Sequence, residues 1–398
     1  MFEHLPVYAG DPILGMMEEF ARDPRDNKVN LSVGIYYDDQ GGIPFLTSVQ
    51  NASSRLALLR QPRTYLPMEG GELYRVTVRD LLFGSDAESG GRRVAVIQTV
   101  GGSGALKVGA DFLKGAFPSS SIWVSNPTWD NHIGIFQGAG FDVQRYPYYS
   151  SDLRGFDFDG AKATLSELPE KSIVLLHPCC HNPTGVQPSK EQWEILLDII
   201  QGRNLIPFLD IAYQGFGEGL DGDAWLIREC ARRGLEFLVA SSFSKTFSLY
   251  GERVGALSVF TSEQNYDQVL GQLKLNVRRN YSSPPMHGAA LVAHVLNDAV
   301  LAAQWRGELN AMRERITEMR QALVNGLVQR MPGHDFSFLA NQQGMFAYTG
   351  LSPEQIRRLK EVHGIYAVES GRICVAGLNS GNLNHVCDAF AEVMTRAN

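Results

Sequence analysis

No apolar run in this 398-residue sequence approaches the roughly 20 residues that a helix needs to cross a bilayer. The N-terminus, MFEHLPVYAGDPILG, has no basic stretch followed by an apolar core, so no secretory leader is expected there. There is no polybasic block, and the formal net charge of -7 offers nucleic acid and acidic membrane surfaces nothing to hold. Cysteines number only five, with Cys179 and Cys180 adjacent; an odd, paired set is not a disulfide framework and fits a reducing compartment. No internal repeat and no low-complexity linker interrupts the chain. These absences predict a soluble, cytoplasmic protein with neither a nucleic-acid nor a membrane partner.

At 44% hydrophobic residues the chain can bury a large core, and its length suits one big domain plus a smaller one. Strand-like runs recur at 93–99, 122–125, 141–146, 173–177, 206–210, 237–241 and 254–260, with helical stretches between several of them, including 190–201 and 224–233. Alternating short apolar strands and helices predict an α/β layer fold around a largely parallel sheet. Loops that carry function then gather at the C-terminal ends of the strands, which places Gly102, Trp129, Asn182, Asp210 and Lys245 on one rim.

The ends of the chain read differently. The first fifteen residues have no helical period and read as an extended arm, lying on a neighbouring subunit or on its own domain. A short helix is expected over 13–22, and a strand and turn over 31–41, where Gly34 lets a ligand approach the backbone or marks a bulge. Past residue 260 the pattern turns helical, with Leu309, Met312, Ile316, Met319 and Leu323 at helical spacing. This long helix is expected to cross from the large domain to a small one, built from 15–47 and the mixed strands and helices after 336.

The stretch SSFSKTFSLYGERVG (241–255) carries the most chemistry. Lys245 lies just past a buried strand on a turn flanked by hydroxyls. Desolvation disfavours its ammonium and favours a free amine that condenses with an aldehyde. Ser242 and Arg253 are placed to hold an anion attached to that aldehyde. Lysine, hydroxyl and arginine together suggest pyridoxal phosphate, although a solvated loop lysine is the default for any single such residue. The loop VGGSGAL (100–106) follows a strand and opens a helix, so Gly102 and Ser103 present backbone N–H groups to a phosphate. Its spacing is not G-x-G-x-x-G and no acidic ribose ligand follows at the right distance, which argues against a dinucleotide.

Further groups add to the set. Asp210 ends a buried strand, where a carboxylate needs a cation, and a protonated pyridine nitrogen is one. Tyr213 and Asn182 are placed to donate to a ring oxygen, and Trp129 to lie flat on the ring. Each has a plainer alternative: a capping Asp, a turn, a core Trp. The His and Cys cluster at 177–181 has a spacing unlike common zinc patterns, and no metal site is expected.

These residues sit in the motifs NLSVGIYY, QTVGGSGALKVGADFL, SNPTWDNH, LHPCCHNPTG, DIAYQGF, SFSKTFSLYGERVGA, RRNYSSPPMHGA and SGRICVAGLN. Together they resemble the class I aminotransferases of pyridoxal phosphate fold type I, over essentially the whole chain. Within that group YLPMEG, LLHPCCHNPTG, SLYGERVG, RRNYSSPP and CVAGLN look most like the bacterial aromatic amino acid aminotransferases. The resemblance implies a large domain, 48–311, with a mostly parallel seven-stranded sheet between helices. It also implies a smaller α+β domain, 15–47 plus 312–398, and an arm, 1–14.

By the same resemblance Lys245 bonds the cofactor and acts as the base, and Asp210 keeps its ring nitrogen protonated. His177 would be the partner of Asp210, and His132 would support the stacking face around Trp129. Gly102, Ser103, Ser242 and Arg253 would hold the phosphate. Tyr65, from the other subunit, would join them and count as catalytic. Asn182 and Tyr213 would hold the ring oxygen. Arg372 would grip the substrate α-carboxylate, with Gly34 closing over it and Trp129 and Asn182 alongside. Arg278, again from the neighbouring subunit, would meet a distal carboxylate and swing out for aromatic substrates. The implied reaction is ping-pong transfer of the amino group from tyrosine, phenylalanine or aspartate to 2-oxoglutarate by a homodimer with shared sites. An aspartate aminotransferase with little aromatic activity is the alternative. A decarboxylase or lyase stays open, although Arg372 and Arg278 argue for a substrate with two anionic ends. A regulator on this fold would carry a DNA-binding extension, and none is expected before Met1 or after Asn398.

Overall fold

The computed structural model describes residues 1–5, 10, 12–59, 62–85 and 93–395; residues 6–9 and 11 of the expected arm lie outside them. The chain forms two compact units, Pro44–Glu314 and Met1–Ile43 with Arg315–Asn398.

The Pro44–Glu314 unit is built on seven strands: β1 (Val94–Val100), β2 (Ile122–Asn126), β3 (Val143–Pro147), β4 (Ile173–Leu176), β5 (Ile206–Ile211), β6 (Phe237–Ser242) and β7 (Val254–Phe260). They lie in the order β1-β7-β6-β5-β4-β2-β3. All are parallel except β7, which runs antiparallel to both its neighbours. Parallel neighbours cannot be joined by a hairpin, so helices make the returns: Gly101–Ala116, Asp130–Gln137, Lys190–Gly202 and Trp225–Arg232. The Lys190–Gly202 helix starts on a capping box, in which Ser189 Oγ accepts from the Gln192 N–H while the Gln192 side chain accepts from the Ser189 N–H.

β4, β6 and β7 are buried along their whole length, which is why they read as unbroken apolar runs without alternation. Ile97, Val124, Leu175, Phe208, Ala240 and Leu257 form one core with Ala105, Leu106, Val108 and Leu113 of the Gly101–Ala116 helix. The antiparallel strand has a consequence for function. Register sets Val254 opposite Val100 and Gly255 opposite Ser242, so the start of β7 lies on the same rim as the ends of the parallel strands.

In the second unit Val29–Asn30 pairs in parallel with Ile365–Tyr366, and Phe346–Tyr348 pairs antiparallel with Arg372–Cys374. Helices Pro12–Arg22, Pro353–His363 and Leu383–Thr395 complete it. Of the strand and turn expected over 31–41, the turn is formed, with Gly41 N donating to Asp38 O at 3.0 Å, but the strand is not; the ladder stops at Asn30. Beyond it the chain is tied by separate bonds, Cys374 N to Leu31 O at 2.7 Å and Tyr37 N to Ala376 O at 3.2 Å. The partner strand itself ends at Tyr366, and the backbone that the chain meets next, Val375–Gly377, is a turn of 3-10 helix. One helix, Ala299–Arg330, contributes residues to both units. Its Leu309, Met312, Ile316 and Leu323 are buried as their spacing predicts. No helix among the described residues is long and apolar enough to cross a membrane.

Candidate active site

The rim of the large sheet collects the groups in chain order. β1 ends at Val100, and the Gly101–Ala116 helix begins at once, with no side chain capping its first turn and no acidic residue in it. The start of a long helix carries unpaired N–H groups and a partial positive charge, which suits an anion. The backbone turns there on Gly101, at φ +67°, and its N–H donates to Arg253 O at 2.9 Å. A Cβ on Gly101 would come within 2.5 Å of Arg253 Nη2, and one on Gly102 within 3.1 Å of Ser242 Cβ. The glycines therefore keep a cradle open beneath Arg253 and Ser242. Ser244 completes it: its hydroxyl lies 3.2 Å from Ser242 Oγ and accepts from Arg253 Nη1 at 3.3 Å.

A second cluster surrounds Asp210, buried near the end of β5. Its Oδ2 lies 2.9 Å from His132 Nε2, and His132 Nδ1 lies 2.8 Å from Thr128 Oγ1. An ionised carboxylate only accepts, so Nε2 carries the hydrogen, and in the neutral ring Nδ1 accepts from the threonine hydroxyl. Burial pushes the Asp210 pKa up. The hydrogen bond from His132, with the charge of the nearby Lys245, outweighs it and holds the carboxyl below its ordinary value. The hydrogen-bond partner of Asp210 is thus His132, not His177 as expected from the sequence. His132 also meets Trp129 edge-on, with centroids 5.2 Å apart, because both stand at the start of the Asp130–Gln137 helix.

His177 lies further in, its ring 5.3 Å from that of His132 and 4.5 Å from that of His181. Neither of its ring nitrogens finds a hydrogen-bond partner. Burial, then the neighbouring His132, lowers its pKa to about 3, so it is neutral. His181, bonded to Ser125 and Thr184 and stacked on Tyr148 at 3.8 Å, is likewise held neutral by burial. Ligand atoms of His132, His177 and Asp210 fall within 4.8 Å of one another, as do those of Cys179, Cys180 and Asp223. Hydrogen bonds account for both carboxylates: Asp223 accepts from the N–H groups of Gly215, Gly217 and Glu218.

Lys245 follows β6 and is partly buried, with Nζ 5.0 Å from the centre of the Tyr213 ring. Tyr213 and Asn182 are buried in the loops after β5 and β4. An amine, an ionised buried carboxylate and an anion cradle thus share one rim. A groove of about 730 Å³ lined by Lys171, Ile206, Phe237 and Val259 lies at the opposite ends of these strands and includes none of these groups.

Other expected groups stand elsewhere. Tyr65 is 95% exposed. Arg278 is exposed at the end of the Tyr266–Asn280 helix, bonded to Ser282 Oγ. In the second unit Arg372 is buried, with Nη2 donating to Ser32 O at 2.5 Å and the guanidinium 4.4 Å above the Phe346 ring; Gly34 is partly buried two residues from Ser32. Sequence reasoning passed over Ser244 and Thr128. The signals were present, as S-x-S ending beside the lysine and as a threonine four residues before His132, just ahead of the Asp130–Gln137 helix.

Residues 26–390 match the family model for aminotransferase class I and II. The chain is 56% identical over 397 residues to the aromatic-amino-acid aminotransferase of Escherichia coli, covering 99% of this chain and all of that one. It is 48% identical over 396 residues to the aspartate aminotransferase of Pseudomonas aeruginosa, again over 99% of this chain and all of the relative. Among solved structures, the aromatic-amino-acid aminotransferase from Burkholderia pseudomallei, covalently bound to pyridoxal phosphate, superposes with a TM-score of 0.97 at 48% identity over 99% of both chains.

Proposed function

The chain belongs to the class I and II aminotransferases, and from that membership we propose that it transfers the amino group of tyrosine, phenylalanine and aspartate to 2-oxoglutarate. It is a pyridoxal-phosphate-dependent enzyme, and the rim fits that group. The Gly101–Gly102 turn keeps the anion cradle open, and the ionised Asp210 is placed for a cation. Bound there, pyridoxal phosphate supplies an aldehyde that condenses with amines and a ring that spreads negative charge.

Each protein group then has a task. Lys245 would hold the cofactor, and its free amine would remove the substrate α-proton and carry it. Asp210, fixed by His132, keeps a positive charge on the ring nitrogen. Gly102, Ser103, Ser242, Ser244 and Arg253 would bind the phosphate, Trp129 would cover the ring, and Asn182 and Tyr213 would bond its oxygen. Arg372 takes the α-carboxylate in a two-pronged contact that an ammonium cannot make, with Gly34 beside it. Tyr65 and Arg278, both exposed on a single chain, act in the site of a partner subunit in a homodimer. Arg278 meets the distal carboxylate of 2-oxoglutarate or aspartate. Against a phenyl ring it would stand unpaired, at a cost, and it swings outward. The composition and cysteine content fit a cytoplasmic enzyme.

The single observation that carries this reading is the placing of Lys245, Asp210 and the Gly101–Arg253 cradle on one rim. The 48% identity to an aspartate aminotransferase favours a second reading, an aspartate enzyme with little aromatic activity. One experiment separates them. The cofactor absorbance of the holoenzyme is followed after mixing with phenylalanine, tyrosine or aspartate, without any oxo acid. Conversion by all three supports the broad aromatic enzyme, and conversion by aspartate alone supports the second. A protein that takes up no pyridoxal phosphate would refute both.

A further inference from the structure

Arg320 stands in the Ala299–Arg330 helix, 4% exposed. A guanidinium withdrawn from water is costly unless its donors are used. Arg320 Nη1 donates to Leu339 O at 3.4 Å, and Nη2 donates to Gly344 O at 2.5 Å and Phe346 O at 3.0 Å. All three carbonyls belong to one segment, residues 339–346, which leads into the strand Phe346–Tyr348. That strand pairs with Arg372–Cys374, with Tyr348 opposite Arg372 and Phe346 opposite Cys374. Within the same segment Gln342 ties it to the strand, accepting from Tyr348 N at 2.8 Å and donating to Tyr348 O at 3.1 Å.

The ring of Phe346 is the floor under Arg372: the guanidinium sits 4.4 Å from its centroid while Nη2 donates to Ser32 O. A bidentate grip on a carboxylate depends on the direction of the guanidinium plane, and a ring lying against that plane constrains it. Phe346 O is in turn bonded to Arg320. Lysine cannot substitute, because a compact ammonium lacks the planar fork that reaches carbonyls on both sides.

We propose that Arg320 is a positioning residue for Arg372: by clamping the carbonyls of 339–346 it holds Phe346 where the ring aligns the Arg372 guanidinium, and so sets the affinity for substrate carboxylates. This rests on the reading that Arg372 grips the α-carboxylate.

The test uses holoenzyme carrying Arg320→Lys, Phe346→Leu, both changes, or Arg372→Lys. The readouts are KM and kcat for phenylalanine, the Kd of 3-phenylpropionate (a carboxylate without the amino group) from cofactor absorbance, and Tm. Arg320→Lys should raise KM and Kd together about tenfold while kcat changes less than about threefold. Phe346→Leu, which keeps an apolar side chain, should give the same split. The double variant should be no worse than the worse single, because the two residues act on one path. A lower Tm with unchanged KM and Kd in both single variants would make Arg320 a purely structural residue and overturn the proposal. Should Arg320→Lys fail to fold, Phe346→Leu decides alone, and an unchanged Kd there overturns it. An unchanged Kd in Arg372→Lys would overturn the carboxylate reading itself, separately from Arg320.

Discussion

Gly101→Ala is expected to weaken cofactor binding strongly and Gly102→Ala weakly, although the two glycines are neighbours. Gly101 lies at φ +67°, and a Cβ there would stand 2.5 Å from Arg253 Nη2 and 2.9 Å from its Cζ. The left-handed backbone costs a residue with a Cβ about 1–2 kcal/mol. That cost falls on the protein with or without ligand and lowers the Tm of the apoprotein. The clash adds a second effect, because Arg253 must move and the charge-assisted bond proposed for it with the phosphate would be lost. Such a bond contributes about 1.5–3 kcal/mol, or roughly a tenfold to hundredfold weaker Kd. At Gly102 the added Cβ would meet Ser242 Cβ at 3.1 Å and its Oγ at 3.6 Å. A shift of a few tenths of an ångström relieves that contact, so the loss should stay below about threefold. The assay is titration of each apoprotein with pyridoxal phosphate by absorbance, with the apo Tm measured alongside. Equal losses in the two variants, or an unchanged Kd for Gly101→Ala, would refute the cradle geometry.

Three other expectations follow from the same groups. Arg278→Ala should cut activity with aspartate and glutamate about a hundredfold or more while sparing phenylalanine, since removing a charged partner from a carboxylate costs several kcal/mol; equal losses in kcat/KM would remove Arg278 from that role. In hybrids of Lys245→Ala and Arg278→Ala subunits one of the two sites holds both residues intact, so dicarboxylate activity should return, and its failure to return would rule out a shared site. His177 has its pKa lowered to about 3 by burial. As pH falls below the ordinary 6.5, the unfolded chain takes up a proton that the folded protein refuses. Folded stability then drops by up to about 1.4 kcal/mol per pH unit until pH nears 3. His177→Phe removes that term, so its Tm should gain on the parent steadily from pH 6.5 downward. Parallel Tm curves would mean that His177 is charged or hydrated in the fold.

Much of the rim was legible as residue types beside strand ends. Lys245, Asp210 and Gly102 each follow or end an apolar run too short for a helix, and a parallel sheet brings such ends together whatever the details of packing. Arg253 was legible for a less obvious reason. It precedes its strand rather than following it, and only the reversed direction of β7 returns it to the same rim. The strand part of the strand and turn expected over 31–41 failed because an apolar segment says nothing about its partner, and here the partner strand ends at Tyr366.

The choice between His132 and His177 marks the limit most clearly. Both follow a strand of the sheet, His177 at once and His132 six residues on, and nothing local ranks one above the other as the partner of Asp210. The start of the Asp130–Gln137 helix, with Thr128 holding Nδ1, aims His132 Nε2 at the carboxylate, whereas His177 is left among rings. The buried Arg320 gave no sign of itself in a charged helical stretch; its meaning comes from three carbonyls that the fold gathers around it. By itself the sequence determined the layer architecture, the strand ends that bear the chemistry and the kinds of groups present, because hydrophobic period and residue type are local properties. Which nitrogen meets which oxygen, and which charge is buried against which backbone, was decided by tertiary structure alone, because hydrogen bonds depend on ångström-scale direction between segments distant in the chain.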